Sequence, residues 1–302
     1  MKKNIVILGA TGFIGKAVVR YLKDKSVNLY LASFHGGSLD HTPVQALDLT
    51  KKSQLSIWLD KKKIDSLFYL SALIPGPAIE MNSEMYDVNM KMHQEVLSYW
   101  LKTRCHLLYA SSFAVYRSQS QNPSRESNAV FPTSHYAISK LMGEHLFLME
   151  FLNTGLPLSV LRISAPYGYK EDKKTVVNIF MEQALQGKPL TLMGTGKRTQ
   201  DFIYVEDVAR AFWLANTKKK YGLFNIASGQ SVTMKTLAKT IIEITQSVSK
   251  IIYTGHPDSQ EERKIHISIN RAKKELQFFC RYNLEQGLKA MAQDYRKEQL
   301  LK

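Results

Sequence analysis

Short, mostly apolar runs alternate with longer helical patterns through the first half of the chain. The short runs have the length and residue types of buried strands, and the longer segments repeat apolar residues at helical spacing. Regular alternation of the two predicts an α/β fold, in which a doubly wound parallel sheet carries helices on both faces. The predicted strands are 5–8, 29–33, 67–71, 107–111 and 158–163, and the predicted helices are 13–23, 84–102, 136–152 and 176–186.

A glycine-rich turn follows the first predicted strand, with three glycines at GxxGxxG spacing before a helix. The first glycine permits a tight turn, the second lets the backbone approach a phosphate, and the third lets the helix pack closely on the strand. Free N–H groups and the helix dipole favour negative charge at the helix start. The turn therefore predicts a dinucleotide site that holds the pyrophosphate of NAD(P) through Gly9, Thr11, Gly12, Phe13, Ile14 and Gly15.

The character of the sequence changes after Pro166. Turns rich in glycine, proline and lysine occupy 167–174 and 187–197, and a predicted helix at 205–215 and a predicted strand at 223–226 follow. We interpret residues 1–165 as a Rossmann-type NAD(P)-binding domain. Residues 166–302 are expected to form a smaller α/β substrate-binding lobe, whose chain crosses back to the sheet near 199–226.

The end of the second predicted strand leaves the choice between NAD and NADP open. An NAD enzyme usually presents a carboxylate about 20 residues beyond the glycines, where it binds the ribose hydroxyls. Here the chain has Ser33 and His35, with no acid before Asp40 and neither arginine nor lysine to hold a 2′-phosphate. Ser33 and His35 suit either cofactor, so the predicted ligand is NAD(P).

The charge and the cysteine and histidine content exclude several classes of protein. The 302 residues carry a formal net charge of +15, but the lysines are spread along the chain, so we expect no nucleic-acid partner and favour an anionic small substrate. The eight histidines lack metal-ligand spacing, and Cys105 and Cys280 form no CxxC pair, so we expect no metal. No apolar run is long enough to cross a bilayer, and we expect a cytoplasmic protein without a membrane partner.

Tyr136 and Lys140 stand four residues apart on a predicted helix, so their side chains project from the same face. An unperturbed phenol has a pKa near 10, and ionising it at neutral pH requires roughly 4 kcal/mol, which an ammonium and a nicotinamide cation can share. The spacing alone occurs often by chance. However, Ser112 follows a predicted strand 24 positions before Tyr136 and supplies a third polar group. These three residues are the predicted catalytic set.

The order of these motifs resembles the extended short-chain dehydrogenase/reductase family, and within it the NAD-dependent epimerase/dehydratase group that acts on nucleotide sugars. The likeness runs from residue 1 to about residue 295. It is carried by GATGFIG at 9–15, LDL at 47–49, LFYLSA at 67–72, Asn89, SSFAVY at 111–116, YAISK at 136–140, RISAPYG at 162–168, GTGKRTQDFIYVEDVA at 194–209 and LEQGL at 284–288.

The resemblance implies a role for each motif residue. Tyr136 is expected to be the general acid or base, Lys140 to orient the nicotinamide ribose and lower the pKa of Tyr136, and Ser112 to hydrogen-bond the reacting sugar oxygen. Asn89 either contacts the cofactor or holds a helix bend or a buried water. The other expected cofactor contacts are Asp48 and Leu49 at the adenine, Leu70, Ser71 and Ala72 along the cofactor path, and Pro166.

Two departures from the family pattern bear on the reaction and the substrate. The 4,6-dehydratases of the family have an acidic pair where this chain has Phe113 and Ala114, so we expect no dehydratase activity. The family commonly has a diphosphate-binding arginine where this chain has Gln200, and a neutral glutamine cannot form the same bidentate contact. The expected substrate contacts are Ser112, Phe113, Asn178, Gln200, Arg198 and Arg263, of which Arg263 matches a second phosphate-binding position of the family; the alternative for either arginine is an ordinary surface position.

Together these features predict an NAD(P)-dependent nucleotide-sugar epimerase or 4-ketoreductase. Two alternatives stay open: a reductase of a non-sugar carbonyl compound, which Gln200 favours, and a non-catalytic NAD(P)-sensing protein, which the intact catalytic set disfavours. The resemblance also suggests a homodimer through helices 84–102 and 136–152, with a monomer as the alternative. Asp207 is expected to cap the helix that follows it.

Overall fold

The computed structural model describes residues 2–74, 83–116, 123–169, 175–262 and 264–300. The strands are β1 Lys3–Leu8, β2 Val27–Ser33, β3 Gly37–Leu39, β4 Thr42–Ala46, β5 Ser66–Tyr69, β6 His106–Ser112, β7 Leu158–Ile163, β8 Ala165–Tyr167, β9 Leu190–Leu192, β10 Thr199–Tyr204, β11 Gly222–Ile226, β12 Ser231–Thr233 and β13 Ile251–Tyr253. The helices are α1 Phe13–Leu22, α2 Gln54–Trp58, α3 Glu84–Thr103, α4 His135–Thr154, α5 Val176–Leu185, α6 Val205–Lys218, α7 Met234–Thr245 and α8 Leu284–Leu300, with a 3₁₀ turn at Phe113–Val115 and a π turn at Ala272–Leu276.

The main sheet contains eight of the strands found in the described residues, in the order β11-β7-β6-β5-β1-β2-β4-β3. Its neighbouring strands are parallel, except that β3 and β4 form an antiparallel edge. The inner strands β5 and β7 are buried along their whole length, because helices cover both faces of a parallel sheet. This architecture confirms the predicted α/β class with a doubly wound sheet.

Alternate residues of β1 enter two apolar cores on opposite faces of the main sheet. Ile5 and Ile7 pack with α1 and α6, whereas Val6 and Leu8 pack with α3 and α4, as the two-residue period of a strand requires. The strand order reverses at β1, with β2 on one side and β5 on the other. Such a reversal leaves a crevice beyond the carboxyl ends of the strands, where ligands of this kind of fold bind.

The residues after β7 build a smaller unit around a third apolar core. This unit contains the sheet β12-β10-β8 and the pair β13-β9, and α5, α7 and α8 pack against each other there. The chain also returns to the main sheet, because β11 pairs in parallel with β7 and α6 packs on α1. Residues 205–226 therefore complete the edge and one covering layer of the main sheet.

Asp207 does not cap α6, so that prediction is wrong. The helix begins at Val205, with Tyr204 at the cap position. The Asp207 carboxylate instead accepts hydrogen bonds from the backbone N–H groups of Arg281, at 2.9 and 3.0 Å, and of Tyr282, at 3.0 Å. Because Asp207 is fully buried, these bonds satisfy its oxygens and fasten the segment before α8 to the start of α6.

Of the helices that the structure describes, none combines the length and the hydropathy that crossing a bilayer requires. Within the same parts of the chain, no three His, Cys, Asp or Glu side chains come together in an arrangement that could hold a metal ion. Cys105 and Cys280 are both free thiols.

Candidate active site

The glycine turn between β1 and α1 forms a cradle of backbone groups. Gly9 has a φ of +86°, and a Cβ there would lie 2.8 Å from the backbone nitrogen of Ser71. A Cβ at Gly15 would lie 2.0 Å from the carbonyl oxygen of Gly9. At Gly12, the N-cap of α1, a Cβ would lie 3.3 Å from that same oxygen. Larger residues would therefore fill the turn or push α1 away from β1.

This cradle fits the pyrophosphate of a dinucleotide. Gly12 has no side chain that could cap α1, and the first turn of α1 contains no acidic residue. The N–H groups at the helix start, together with the positive end of the helix dipole, therefore favour an anion in the turn. A phosphate group at this position would satisfy both.

Segments that follow β5 and β7 meet the turn. Gly9 lies against Ser71, and the ring of Phe13 lies 3.3 Å from the position that a Cβ would take at Gly168. The structure thus brings the segment after β5 next to the turn, and Gly168, two residues beyond Pro166, next to the start of α1. The predicted cofactor contacts that are half-buried here are Thr11, Phe13, Ile14, Leu70, Ser71, Ala72 and Pro166.

The residues predicted to contact the adenosine end lie at the end of β2, just beyond it, and after β4. Ser33 is buried and its hydroxyl accepts a hydrogen bond from the backbone N–H three residues later, at 3.2 Å, whereas His35 is exposed. The Asp48 carboxylate accepts hydrogen bonds from the Thr50 hydroxyl at 2.7 Å and N–H at 3.0 Å, which hold the pKa of Asp48 below its usual value. Leu49 is buried in the core beneath α3, so its side chain offers little surface to an adenine.

Asn89 ties α3 to the segment after β5 and to α4. Its Oδ1 accepts a hydrogen bond from the N–H of Leu73 at 2.8 Å, and its Nδ2 donates to the Leu73 carbonyl and to the Ser139 hydroxyl, both at 3.0 Å. These bonds use both donors of the buried amide and one acceptor site. Asn89 therefore holds α3, the segment after β5 and α4 together beside the cradle.

Ser112, Tyr136 and Lys140 come together where β6 ends and α4 begins. Ser112 is the last residue of β6, and Tyr136 lies in the first turn of α4, after the N-cap Ser134. Lys140 follows one turn later and is buried. Its Nζ lies 5.9 Å from the centroid of the Tyr136 ring and donates a hydrogen bond to the carbonyl oxygen of Ala110 at 2.7 Å.

Burial shifts the pKa values of Tyr136 and Lys140 in opposite directions. It raises the pKa of Tyr136 to about 12, while a hydrogen bond with Ser112 acts the other way. It lowers the pKa of Lys140 to about 7, against the attraction of Glu144. The pKa of Tyr136 is therefore raised by burial, against the Ser112 hydrogen bond, rather than lowered by Lys140 as the resemblance implied. Ionising a phenol of pKa 12 at pH 7 requires about 7 kcal/mol, so Tyr136 carries its proton at neutral pH.

A buried polar group beneath α4 was not predicted from the sequence. The Tyr69 hydroxyl lies 2.8 Å from Nδ1 of His93, and Nε2 of His93 lies 3.1 Å from the carbonyl oxygen of Ser139. Because a carbonyl only accepts, Nε2 carries the proton and Nδ1 accepts from Tyr69. Gly143 makes room for this group, since a Cβ there would lie 2.6 Å from the Tyr109 hydroxyl and 2.8 Å from Nε2. The group helps to fix the position of α4 on the sheet, and with it Tyr136 and Lys140, which α4 carries.

Two buried histidines are expected to make the protein less stable in acid. Burial lowers the pKa of His93 to about 3 and that of His106 to about 4, whereas an unfolded histidine has a pKa near 6.5. Below pH 6.5 the unfolded chain therefore binds more protons, and each histidine lowers the free energy of unfolding by about 2 kcal/mol between pH 7.5 and 5.

Denaturant unfolding at the two pH values measures this effect. His93→Gln is expected to lose about 2 kcal/mol less stability than the wild type over that interval. A variant with the wild-type pH dependence would contradict the assignment of a neutral, buried His93.

Two residues that were predicted to contact the substrate, Phe113 and Asn178, already use their side chains in contacts within the protein. Phe113 is 4% exposed and packs in an apolar cluster with Val115 and Ile267. Asn178 is 2% exposed, and its Nδ2 donates to the carbonyl of Gly168 at 3.3 Å and to the hydroxyl of Tyr295 at 3.4 Å. These contacts support structural roles for both side chains.

Three positions bear on the predicted binding of a diphosphate: Arg198, Gln200 and Arg263. Their surroundings differ. Arg198 Nε lies 3.2 Å from a carboxylate oxygen of Asp258, and its guanidinium also donates to the side-chain oxygen of Gln260 at 3.3 Å. Asp258 therefore already offsets part of the positive charge that Arg198 could offer to a diphosphate. Gln200 is half-buried in β10, and Arg263 lies outside the residues that the structure describes.

The cradle at the reversal of strand order and the group formed by Ser112, Tyr136 and Lys140 define an extended short-chain dehydrogenase/reductase. The model of the NAD dependent epimerase/dehydratase family matches residues 5–227, and the chain belongs to that family. This confirms the resemblance on which the sequence-based expectations rest.

Relatives within the family carry out several reactions on nucleotide sugars. The chain is 27% identical to a UDP-N-acetyl-alpha-D-glucosaminuronate decarboxylase of Bacillus cytotoxicus and 26% identical to a dTDP-4-dehydro-6-deoxyglucose reductase of Escherichia coli, and each comparison covers 98% of both chains. The structure of a UDP-glucose 4-epimerase from Thermotoga maritima with UDP-glucose is similar with a TM-score of 0.90 and 26% identity, over 98% of this chain and 99% of that one. Since dTDP-glucose 4,6-dehydratases are also among the relatives, membership of the family does not select one reaction.

Proposed function

We propose that this chain catalyses NAD(P)-dependent hydride transfer at a carbinol or keto carbon of a nucleotide-diphosphate sugar, as an epimerase or 4-ketoreductase. The observation that carries the proposal is the group of Ser112, Tyr136 and Lys140, with Nζ 5.9 Å from the phenol ring. The strands β1 and β6 both belong to the parallel part of the main sheet, so their carboxyl ends point the same way. This group therefore lies on the same side of the sheet as the glycine cradle. The activities of the reductase and epimerase relatives support the substrate class.

Each residue of the group has a distinct task in this reaction. In the oxidative direction Tyr136 accepts the proton of a sugar hydroxyl as hydride leaves the same carbon, and in the reductive direction it returns the proton. When bound, the nicotinamide accepts or donates that hydride. Ser112 hydrogen-bonds the reacting oxygen. Lys140 contacts the nicotinamide ribose and stabilises the phenolate.

The preference for an epimerase or ketoreductase over a dehydratase depends on the two residues after Ser112. Phe113 and Ala114 can neither donate nor accept a proton, and Phe113 is turned into an apolar cluster. Removal of water from a sugar requires an acid and a base in addition to the group that serves hydride transfer. We therefore propose hydride transfer without elimination.

A product assay tests the reaction and the substrate class. UDP-, dTDP-, GDP- and CDP-sugars are first screened with NAD and with NADP by thermal shift, and the products of those that bind are identified by NMR. An epimer without net change of the cofactor, or a reduced sugar with consumption of NAD(P)H, is expected. A 4-keto-6-deoxy product would contradict the proposed reaction, and the absence of binding by every nucleotide sugar would contradict the substrate class.

A second candidate is the reduction of a non-sugar carbonyl compound. It is favoured by the neutral Gln200 and by the ion pair that already engages Arg198 with Asp258. Turnover of small ketones or aldehydes with NAD(P)H, in a protein that binds no nucleotide sugar, would select this candidate.

We also propose that the chain forms a homodimer through α3 and α4. Four apolar side chains on α4 stand at spacings that place them on one face, and Leu152 among them is 78% exposed. An apolar helix face of this kind is typical of a contact between subunits. The four side chains are Ile138, Met142, Met149 and Leu152.

The wild type is expected to behave as a dimer, and a variant with Met142→Glu and Met149→Glu as a folded monomer, because two carboxylates would be buried without partners. Light scattering coupled to gel filtration measures the mass of each. Met193→Glu, which places a charge on an exposed methionine elsewhere, is the matched control and should stay dimeric. A monomeric wild type would contradict the proposed contact.

A further inference from the structure

A buried ion pair lies one turn beyond Lys140 on α4. Glu144 is 1% exposed, and Arg162 of β7 is 5% exposed. Nε of Arg162 donates to the two carboxylate oxygens at 2.9 and 3.1 Å, and Nη2 donates to Oε2 at 2.6 Å. Parallel bonds of this kind fix both the distance and the orientation of the two groups. The pair is therefore a rigid charged group inside the core.

The Glu144 carboxylate and the Lys140 ammonium face the same stretch of β6. Lys140 Nζ donates to the carbonyl oxygen of Ala110, and the next residue, Ser111, donates its hydroxyl to Glu144. Lys140 and Glu144 are also four residues apart, which places them on one face of α4. Attraction to Glu144 accordingly opposes the lowering of the Lys140 pKa by burial.

Near neutral pH, the charge that acts on Lys140 comes from the Glu144 carboxylate, which is itself paired with the Arg162 guanidinium. The histidine and tyrosines that face it are neutral, because burial lowers the pKa of His93 to about 3, raises that of Tyr136 to about 12 and raises that of Tyr109 well above its usual value. The groups that face Lys140 are His93 from α3, Tyr109 from β6, Tyr136 and Glu144 from α4 and, paired with Glu144, Arg162 from β7.

We propose that Glu144 and Arg162 are positioning residues that set the charge of Lys140 by opposite effects. Glu144 keeps the amine protonated, and Arg162 limits this effect because it shares the carboxylate. The inference rests on the proposed function in one respect, since it takes the protonated Lys140 as the active form.

The two single substitutions therefore shift Lys140 in opposite directions. Without the charge of Glu144, Arg162 is left as an unpaired cation in the core, so that burial and repulsion both favour the neutral amine. Without Arg162, Lys140 becomes the ionic partner of Glu144, which favours the protonated amine.

The test compares the pH profiles of turnover in three variants: Glu144→Gln, Arg162→Met and the double variant. Activity of the wild type is expected to fall at alkaline pH as Lys140 loses its proton. The midpoint of this fall should move by about one pH unit to lower pH in Glu144→Gln and by about one unit to higher pH in Arg162→Met, which is a tenfold change in proton affinity each way. The midpoint of the double variant should lie between those of the two single variants.

Two further variants separate charge from structure. Glu144→Asp keeps the carboxylate and should return the midpoint toward the wild-type value. Glu150→Gln makes the same chemical change as Glu144→Gln on the same helix, but away from Lys140, and should leave the midpoint unchanged. A purely structural role would lower activity at every pH and leave the midpoint where it is. That result, or a shift of both single variants in the same direction, would overturn the proposal.

A measurement without turnover distinguishes failure of this inference from failure of the proposed function. The pH dependence of acetylation of Lys140 by dilute acetic anhydride, followed by peptide mass spectrometry, reports the fraction of neutral amine. Even if no nucleotide sugar is turned over, the roles of Glu144 and Arg162 are supported when the acetylation midpoint is lowest in Glu144→Gln and highest in Arg162→Met. Equal midpoints in all folded variants would overturn these roles whatever the activity, and thermal unfolding identifies the variants that fold.

Discussion

Replacing Tyr136 by phenylalanine is expected to lower turnover by about 10³-fold while NAD(P) binding persists. The hydroxyl is the group proposed to carry the substrate proton, and such a group typically contributes 10²- to 10⁴-fold to the rate. The substitution removes one oxygen atom and leaves the hydrogen bond from Lys140 Nζ to the carbonyl oxygen of Ala110 in place. The fold and the cradle should therefore be unchanged. Steady-state kinetics measures the loss, and quenching of NAD(P)H fluorescence measures the binding.

The matched control for this prediction is Tyr30→Phe. Tyr30 is a half-buried tyrosine of β2 that packs against the core beneath α3, and its substitution should leave both turnover and binding at wild-type values. A Tyr136→Phe variant with wild-type turnover would exclude the proposed role of the phenol. Loss of NAD(P) binding together with turnover would instead indicate that the phenol supports the cofactor site.

Gly15→Ala is expected to abolish NAD(P) binding and to lower the free energy of unfolding by about 3 kcal/mol. The new Cβ would lie 2.0 Å from the carbonyl oxygen of Gly9 and 2.8 Å from that of Ala10. Because both obstacles are backbone atoms, either α1 or the turn has to move, and the movement displaces the N–H groups that form the cradle. Denaturant unfolding and isothermal titration with NAD and NADP measure the two effects.

Gly12→Ala separates the packing requirement from the ligand requirement. A Cβ at Gly12 would lie 3.3 Å from the carbonyl oxygen of Gly9, a contact that a small shift relieves, so stability should stay close to that of the wild type. If a phosphate approaches the backbone at this position, affinity for NAD(P) should still fall. Wild-type affinity in Gly15→Ala would refute the cradle as the cofactor site.

Much of the main sheet was predictable because a two-sided parallel sheet needs nearly continuous apolar strands. The strand at 158–163 was predicted with the bounds that the structure has, and α4 begins one residue before its predicted start. The predicted strand at 67–71 ends earlier, at Tyr69. The short elements β3, β4 and α2 were not predicted, since a few residues carry too little periodicity. The helices α7 and α8 also lacked a prediction, although Leu237, Ala238 and Ile241 of α7 are spaced as the apolar face of a helix.

The candidate site was predictable where its chemistry follows from local spacing. The glycine turn and the pair Tyr136 and Lys140 each occupy one continuous segment, and the distance that matters is set by a single helix or turn. The contacts of His93 with Tyr69, and of Glu144 with Arg162, join residues on different elements. No pattern in the sequence specifies such contacts, because they depend on how α3 and α4 lie on the sheet.

The pairing of β11 with β7, and of α6 with α1, has a consequence for synthesis of the protein. Side chains of α6 and β11, such as Phe212 and Phe224, share one core with Ile5 and Ile7 of β1. A nascent chain that has emerged only as far as residue 165 therefore exposes an open strand edge and an uncovered apolar layer. We therefore expect the first half of the chain to complete its fold only after residue 226 has left the ribosome, and a chain cut between residues 165 and 205 to expose apolar surface on both fragments.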